Sequence, residues 1–284
     1  MEKIAVVTDT GSNLSFAQAK ELGIYLLPLQ ITIDETTYQD TLEISTQDIY
    51  NELANGKMPK TSMAAYQKIY DLFEELKKEY DTVFAIPLTN GLSTNASTMQ
   101  SIARELEMNV HVIDMYATCA LEKHVAIWIK KLVDEHKSSE EILKIIQPAI
   151  DESNSLILVK NLQHLKRGGR LTPMAATLAG LLKIYPVLHI NKSTKGRIDV
   201  LNKVRTEKRA DAYAIDKVMD DIDIQHTHIY IIHSNFLEGA NHFKKCFIEK
   251  GVPEQNIHID YISSVIAVHT GLGCIAIQYI REEN

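Results

Sequence analysis

The sequence predicts an α/β protein built in two parts. Three observations lead there. Short apolar runs alternate with helical stretches through the first half, three of those runs end in polar residues, and the pattern changes after about Ser155. Alternation of this kind indicates a parallel sheet covered by helices. Ligands of such sheets gather at the C-terminal ends of the strands. A chain of 284 residues has room for one large or two medium domains and for an ordinary core.

The elements follow in order. "KIAVVTDT" is a buried strand delivering Asp9 and Thr10 at its end. "LSFAQAKELG" is a helix closed by Gly23, and "IYLLPLQITI" is strand-like. "STQDIYNELANG" is a helix with Ser45 as N-cap and Gly56 as stop. "AAYQKIYDLFEELKKEY" is helical, "DTVFAIPLT" is a buried strand, "STMQSIARELEM" is a helix, and "NVHVIDM" is a strand ending at Asp114. Helices are expected around 121–135 and 139–153. The polar strand ends are "TDTGSN", "LTNGLS" and "IDMYAT", and their convergence is the first pointer to a site.

Beyond the boundary, "SLILVKN" is a strand and "LQHLKRGGRLTPMAATLAGLLKI" is mostly helical. "YPVLHINKSTKGRIDVLNKVRT" gives two strands joined by the turn "NKSTKG". "EKRADAYAIDKVMDDI" is a helix, and a further helix runs around 241–250. "HIYIIHS", "NIHIDYIS" and "GCIAIQYI" are strands. The expected domains are residues 1–155 and 156–284.

Composition narrows the function. Apolar residues make up 45% and charged residues 24% of the chain, as in globular proteins, and the net charge is −7. A general nucleic-acid binder would carry a basic face, so none is expected as a partner. Cys119, Cys246 and Cys274 are odd in number and far apart, so neither a disulfide framework nor a zinc site is expected. Free thiols, a first segment without a signal-type apolar core, and no long apolar run predict a cytoplasmic protein with no integral membrane segment.

Several short motifs carry candidate chemistry. Thr61 and Ser62 in "KTSMAAY" stand directly before a helix, as caps or as ligand-binding hydroxyls. Ser93 in "LTNGLSTNAS" stands at a strand-to-helix junction, as a helix cap or where free backbone N–H groups favour an anion. His269 in "HTGLG" is placed on a loop whose glycines allow close backbone approach. "LKRGGRLT" lacks the form of a nucleotide-binding loop. Gly168 and Gly169 read as a backbone corner from which Arg170 reaches a partner or a phosphate, or as a helix C-cap with solvated cations. "HTH" at 226–228 and His233 have no carboxylate or thiol completing a metal set, so no metal is expected. Cys119 reads as a buried thiol. No catalytic residues are expected, although a stand-alone enzyme on a phosphorylated or acyl substrate, using Asp9 or Ser93 with Arg170 as anion stabiliser, is the alternative.

In their order and spacing these motifs resemble the DegV family, the bacterial fatty-acid-binding proteins that serve as the lipid-carrying subunit of fatty acid kinase. "TDTGSNL" resembles the family's opening Asp-Ser motif, with Thr10 in place of Ser. "KTSMAAY" falls where the family has Thr-Ser-Gln-Pro-Ser, and "LTNGLSTNAS" where it has Ser-Ser-x-Leu-Ser-Gly-Thr. "LKRGGRLT", the stretch "LLKIYPVLHINKSTKGRIDVLNKVRTEKRA" and "HTGLG" are the specific matches. Met63, Ala64 and Ala65 replace Gln-Pro-Ser, Thr94 and Asn95 replace Gly-Thr, and Leu272 replaces a proline.

The resemblance implies an N-terminal Rossmann-like domain with a parallel sheet, a C-terminal α/β domain with a mixed sheet, and a fatty-acid tunnel between them. It implies a long-chain fatty acid such as palmitate as ligand, no cofactor, and a separate fatty acid kinase catalytic subunit as partner in phospholipid synthesis. Ser62, Ser93, Thr61 and His269 would hold the carboxylate, and Arg170 would face the partner or the phosphate. A sixteen-carbon chain offers about fifteen buried carbons at roughly 0.8 kcal/mol each, on the order of 12 kcal/mol gross. Ordering and association offset much of this. The carboxylate taken from water requires hydrogen bonds, and hydroxyl donors leave it free to be phosphorylated.

Overall fold

The computed structural model describes residues 2–181 and 184–282. The first half runs β1 (Ile4–Asp9), α1 (Phe16–Leu22), β2 (Tyr25–Leu27), β3 (Gln30–Ile33), β4 (Thr36–Gln39), α2 (Thr46–Ala54), β5 (Lys60–Ser62), α3 (Tyr66–Leu76), β6 (Thr82–Ile86), α4 (Asn95–Glu105), β7 (Val110–Val112), α5 (Ala120–Asp134) and α6 (Ser139–Glu152). The second runs β8 (Asn154–Leu158), α7 (Leu162–Arg167), α8 (Pro173–Thr177), β9 (Tyr185–Ile190), β10 (Asp199–Val204), α9 (Glu207–Asp221), β11 (Thr227–His233), α10 (Leu237–Glu249), β12 (Ile257–Tyr261), α11 (Ser264–Thr270) and β13 (Ile275–Arg281).

Strands β2-β1-β6-β7 form a parallel sheet in that order. Every residue of β1 is buried, as a strand covered on both faces requires. Ile4 and Val6 pack with Leu121, Val125 and Ile129 of α5. Ala5 and Val7 point the other way, to a core that includes Phe73 of α3 and Met99 of α4. The second sheet has the order β10-β9-β8-β13-β11-β12 and is mixed, with only β11 and β12 parallel. Its Leu156, Ile231 and Ile277 face a core with Ala214 and Phe247 from α9 and α10. Its Ile157, Leu188, Ile232 and Ala276 face Leu165 of α7, Ala267 of α11, and Tyr50 and Cys119 from the first half.

The halves are also joined by polar contacts. Tyr50 Oη donates to the Ile262 carbonyl at 2.7 Å. Lys123 Nζ meets Asp260 at 2.6 Å, and Asn13 donates to the same carboxylate at 3.2 Å.

The helix caps follow the sequence closely. Ser45 forms a capping box with Asp48, and Gly23 ends α1 at φ 67°. Three expectations are corrected. "IYLLPLQITI" is two strands, divided by Pro28: β2 joins the parallel sheet, and β3 leaves it for a small antiparallel sheet with β4 and β5. The "LQHLKRGGRLTPMAATLAGLLKI" stretch is broken, because α7 ends at Arg167, Gly169 takes φ +73°, and α8 restarts behind the Thr172 cap with Pro173 in its first turn. Leu182 and Lys183 of that stretch lie outside the described residues. His269 is not on a loop but in the last turn of α11, which Gly271 closes at φ 75°. No helix among the described residues is long and apolar enough to cross a membrane.

Candidate functional site

The 87–94 loop after β6, the edge strand β5, helix α11 and the segment around Arg170 meet at a cleft. Thr61, Ser62, Ser93, Arg170 and His269, five residues drawn from four separate segments, line it together. The cleft has a volume of about 440 Å³. Leu29, Leu88, Val265 and Ile266 supply its apolar wall.

Thr61 and Ser62 are not helix caps. They belong to β5, which pairs antiparallel with β3 through Ile31↔Thr61 and Gln30↔Ser62, and Ala65 precedes α3 without a side-chain cap. Thr61 Oγ1 lies 2.7 Å from His269 Nε2. Ser62 is exposed and donates to Gln30 Oε1 at 3.1 Å. Ser93 Oγ accepts the Asn95 N–H at 3.1 Å, and its own proton has no acceptor among the described residues.

The Ser93 loop is braced from below by Asp9. This carboxylate is fully buried and accepts from Gly11 N at 2.8 Å, Leu88 N at 2.9 Å and Asn95 Nδ2 at 2.6 Å. Burial raises the Asp9 pKa, and burial together with the Asp9 charge pushes buried Glu122 well above the usual carboxylate range. Asp9 is therefore a structural brace, out of reach of a substrate. Asp40 plays a similar part on the other side. Its Oδ1 accepts from Ser264 Oγ at the start of α11, and burial raises its pKa to about 6.

Burial first, and then the nearby Arg170 charge, lowers the His269 pKa to about 3, so the imidazole is neutral. The Gly168 backbone passes so close that a Cβ there would stand 2.7 Å from His269 Nδ1. Arg170 turns its Nη1 back onto the Gly168 carbonyl at 2.7 Å and is half-buried in the cleft wall, where burial lowers its pKa. The Gly168–Gly169 pair is thus a helix end, and Arg170 is not a freely solvated side chain. Cys119 is buried, with its pKa raised by burial, which leaves no reactive thiolate.

The cleft continues inward. Leu92, Ile198, Ile266 and Thr270 are shared with a narrower cavity behind it, of which about 30 Å³ admits the centre of a water-sized sphere. Ile157, Ile190, Ile232 and Ala276 of the second sheet form much of its wall. Where the two halves meet above the cleft, Gly91 and Gly196 touch backbone to backbone. A Cβ on Gly91 would stand 2.1 Å from the Gly196 carbonyl.

Sequence reasoning missed Arg197 on the cleft rim, whose Nη2 lies 3.4 Å from the Leu171 carbonyl, and the apolar inner wall. "NKSTKGR" reads as a turn, and its cation gives no sign of which loop it will face.

A family model described as an uncharacterised protein of the DegV family matches residues 3–282. A DegV domain-containing protein of Halalkalibacterium halodurans is 32% identical, with all of both chains covered. Among solved structures, a fatty acid binding DegV family protein of Streptococcus agalactiae has a TM-score of 0.91 at 30% identity, again with both chains fully covered. DegV of Bacillus subtilis, described as a fatty acid binding protein, has a TM-score of 0.87 at 27% identity over 99% of this chain and 100% of its own. With this architecture and a match that spans nearly its whole length, the chain belongs to the DegV family.

Proposed function

We propose that this protein binds one long-chain fatty acid, such as palmitate, and presents its carboxylate to a separate fatty acid kinase that forms the acyl phosphate for phospholipid synthesis. The observation that carries the reading is a polar cleft opening directly into an apolar cavity. The similar proteins of Streptococcus agalactiae and Bacillus subtilis are described as fatty acid binding. Two domains, divided near residue 155, hold the acyl tunnel between them.

The carboxylate is held by Ser93 and Thr61. Neutral His269 and Thr61 share one hydrogen bond, which positions the threonine hydroxyl toward the ligand. Ser62 supplies a further hydroxyl at the rim after release from Gln30. The tail fills the inner cavity, where burial of methylenes provides the driving force. Held by hydroxyls rather than by a tight salt bridge, the carboxylate keeps an oxygen available as a nucleophile. Arg170 meets the kinase or the transferred phosphoryl group. The protein acts in the cytoplasm, without a cofactor or catalytic residues of its own. Organic extraction of purified protein followed by mass spectrometry tests this: a stoichiometric long-chain fatty acid is expected. Turnover of acyl phosphates or acyl esters by the protein alone favours an enzyme instead.

A further inference from the structure

Gln278 interrupts the apolar run "CIAIQYI" on β13. Strand alternation puts it on the same face as Ala276, toward the inner cavity, and both line it. Its side chain is almost wholly buried, at 1% exposure. Nε2 donates to the Thr118 carbonyl at 3.0 Å and to Ser155 Oγ at 3.0 Å. The Thr118 carbonyl accepts only, so the amide orientation is fixed and the oxygen faces away from it. Oε1 has no partner among the described residues.

Ser155 stands opposite Gln278 in the β8–β13 register, is fully buried, and lines the same cavity. Its hydroxyl oxygen receives the Gln278 amide N–H, and an amide nitrogen accepts nothing in return. The Ser155 proton therefore has no acceptor among the described residues. One free acceptor and one free donor stand side by side in a cavity walled mainly by isoleucines. Buried polar groups are almost always satisfied, and a plain polymethylene chain satisfies neither of these.

From the unpartnered Gln278 Oε1 beside the Ser155 hydroxyl in the inner cavity, we infer that the preferred ligand is a hydroxylated long-chain fatty acid, with its hydroxyl far from the carboxylate. The ligand hydroxyl donates to Gln278 Oε1 and accepts from Ser155, while Ile157, Ile190, Ile232 and Ile262 cover the methylenes on either side. The inference rests on the fatty-acid reading above and specifies the acyl class.

The test uses the delipidated full-length chain and measures Kd for stearic acid and for its mid-chain and terminally hydroxylated derivatives. At least one hydroxylated acid is expected to bind about three- to tenfold more tightly than stearic acid, the gain of one net neutral hydrogen bond. Gln278→Met, of similar volume and without the acceptor, is expected to reverse that order, since a hydroxyl buried without its partner is penalised. Ser155→Ala is expected to narrow the preference, and it serves with the wild-type comparison should Gln278→Met fail to fold. Stearic acid binding as well as or better than every hydroxylated derivative overturns the inference and leaves the fatty-acid reading standing. Binding of none of these acids overturns both.

Discussion

Thr61 Oγ1 and His269 Nε2 stand 2.7 Å apart although 208 residues separate them in the chain. An edge strand of the first half and the last turn of a late helix thereby share one hydrogen bond at the cleft. His269 is neutral because its environment is largely dry and Arg170 is close, which brings its pKa to about 3. A histidine depressed below its unfolded value near 6.5 stabilises the fold fully above that pH. The contribution is lost as pH falls from about 6.5 toward about 3. His269→Gln keeps a donor for Thr61 and removes the titration. It is expected to flatten the acid limb of melting temperature against pH and to retain part of the fatty-acid affinity, whereas His269→Ala loses both. An unchanged acid limb in His269→Gln counts against the buried neutral imidazole.

Ser93 has a free hydroxyl proton and a brace beneath it. Ser93→Ala is expected to weaken fatty-acid binding by about 1.5–3 kcal/mol, the usual range for a hydrogen bond to a charged group. Ser62→Ala acts in the same direction but less, because its hydroxyl is exposed and already engaged by Gln30. Isothermal titration of the two single variants and the double variant measures this. A double variant that binds like wild type removes both residues from the carboxylate site.

Arg170→Ala separates partner contact from lipid binding. Its one described hydrogen bond is to the Gly168 carbonyl, so truncation is expected to leave fatty-acid occupancy close to wild type. The rate at which a purified fatty acid kinase catalytic subunit phosphorylates the bound lipid is expected to fall. The deficit against wild type shrinks as salt rises, since a charge-steered encounter is screened. Wild-type kinase rates with Arg170→Ala make the residue part of a helix end and nothing more.

Asp40 gives a pH signature of opposite sign. Its pKa, raised to about 6 by burial, exceeds the ordinary aspartate value of 3.8, so the folded chain holds this proton more tightly than the unfolded chain does. Stability from this group is complete below the lower value and declines as pH rises through the window to the upper one. The difference amounts to about 3 kcal/mol at neutral pH. Asp40→Asn retains an acceptor for Ser264 and is expected to melt above wild type near neutral pH, with the advantage gone below about pH 4. A pH-independent difference between the two proteins rejects an ionised, buried Asp40.

Strands such as β1 and β6 and capped helices such as α2 were legible because burial and capping leave local marks. Ile4 to Asp9 is a continuous buried run, and Ser45 stands three residues before Asp48. Helix α11 was not legible: seven residues beside a Gly-x-Gly turn read as loop. The small sheet was equally hidden, since β5 has three residues and exists only by pairing with β3. The position of Ser93 at a strand-to-helix junction, two residues before α4, was legible. The Asp9 brace, the Thr61–His269 bond and the free end of Gln278 depend on contacts across the chain, and local sequence carries no trace of them.

The contact between Gly91 and Gly196 bears on time rather than affinity. Two backbones that touch with no side chain between them leave no passage for a polymethylene chain at that point. On the fatty-acid reading proposed above, loading and unloading past this point would require the 87–94 loop and the β9–β10 turn to separate together. A Gly91→Ala substitution wedges the contact apart without replacing a residue of the inner cavity. Lipid exchange in stopped-flow should therefore accelerate in both directions, with a much smaller change in the equilibrium constant. Residence time and binding strength would in this way be set by different parts of one molecule.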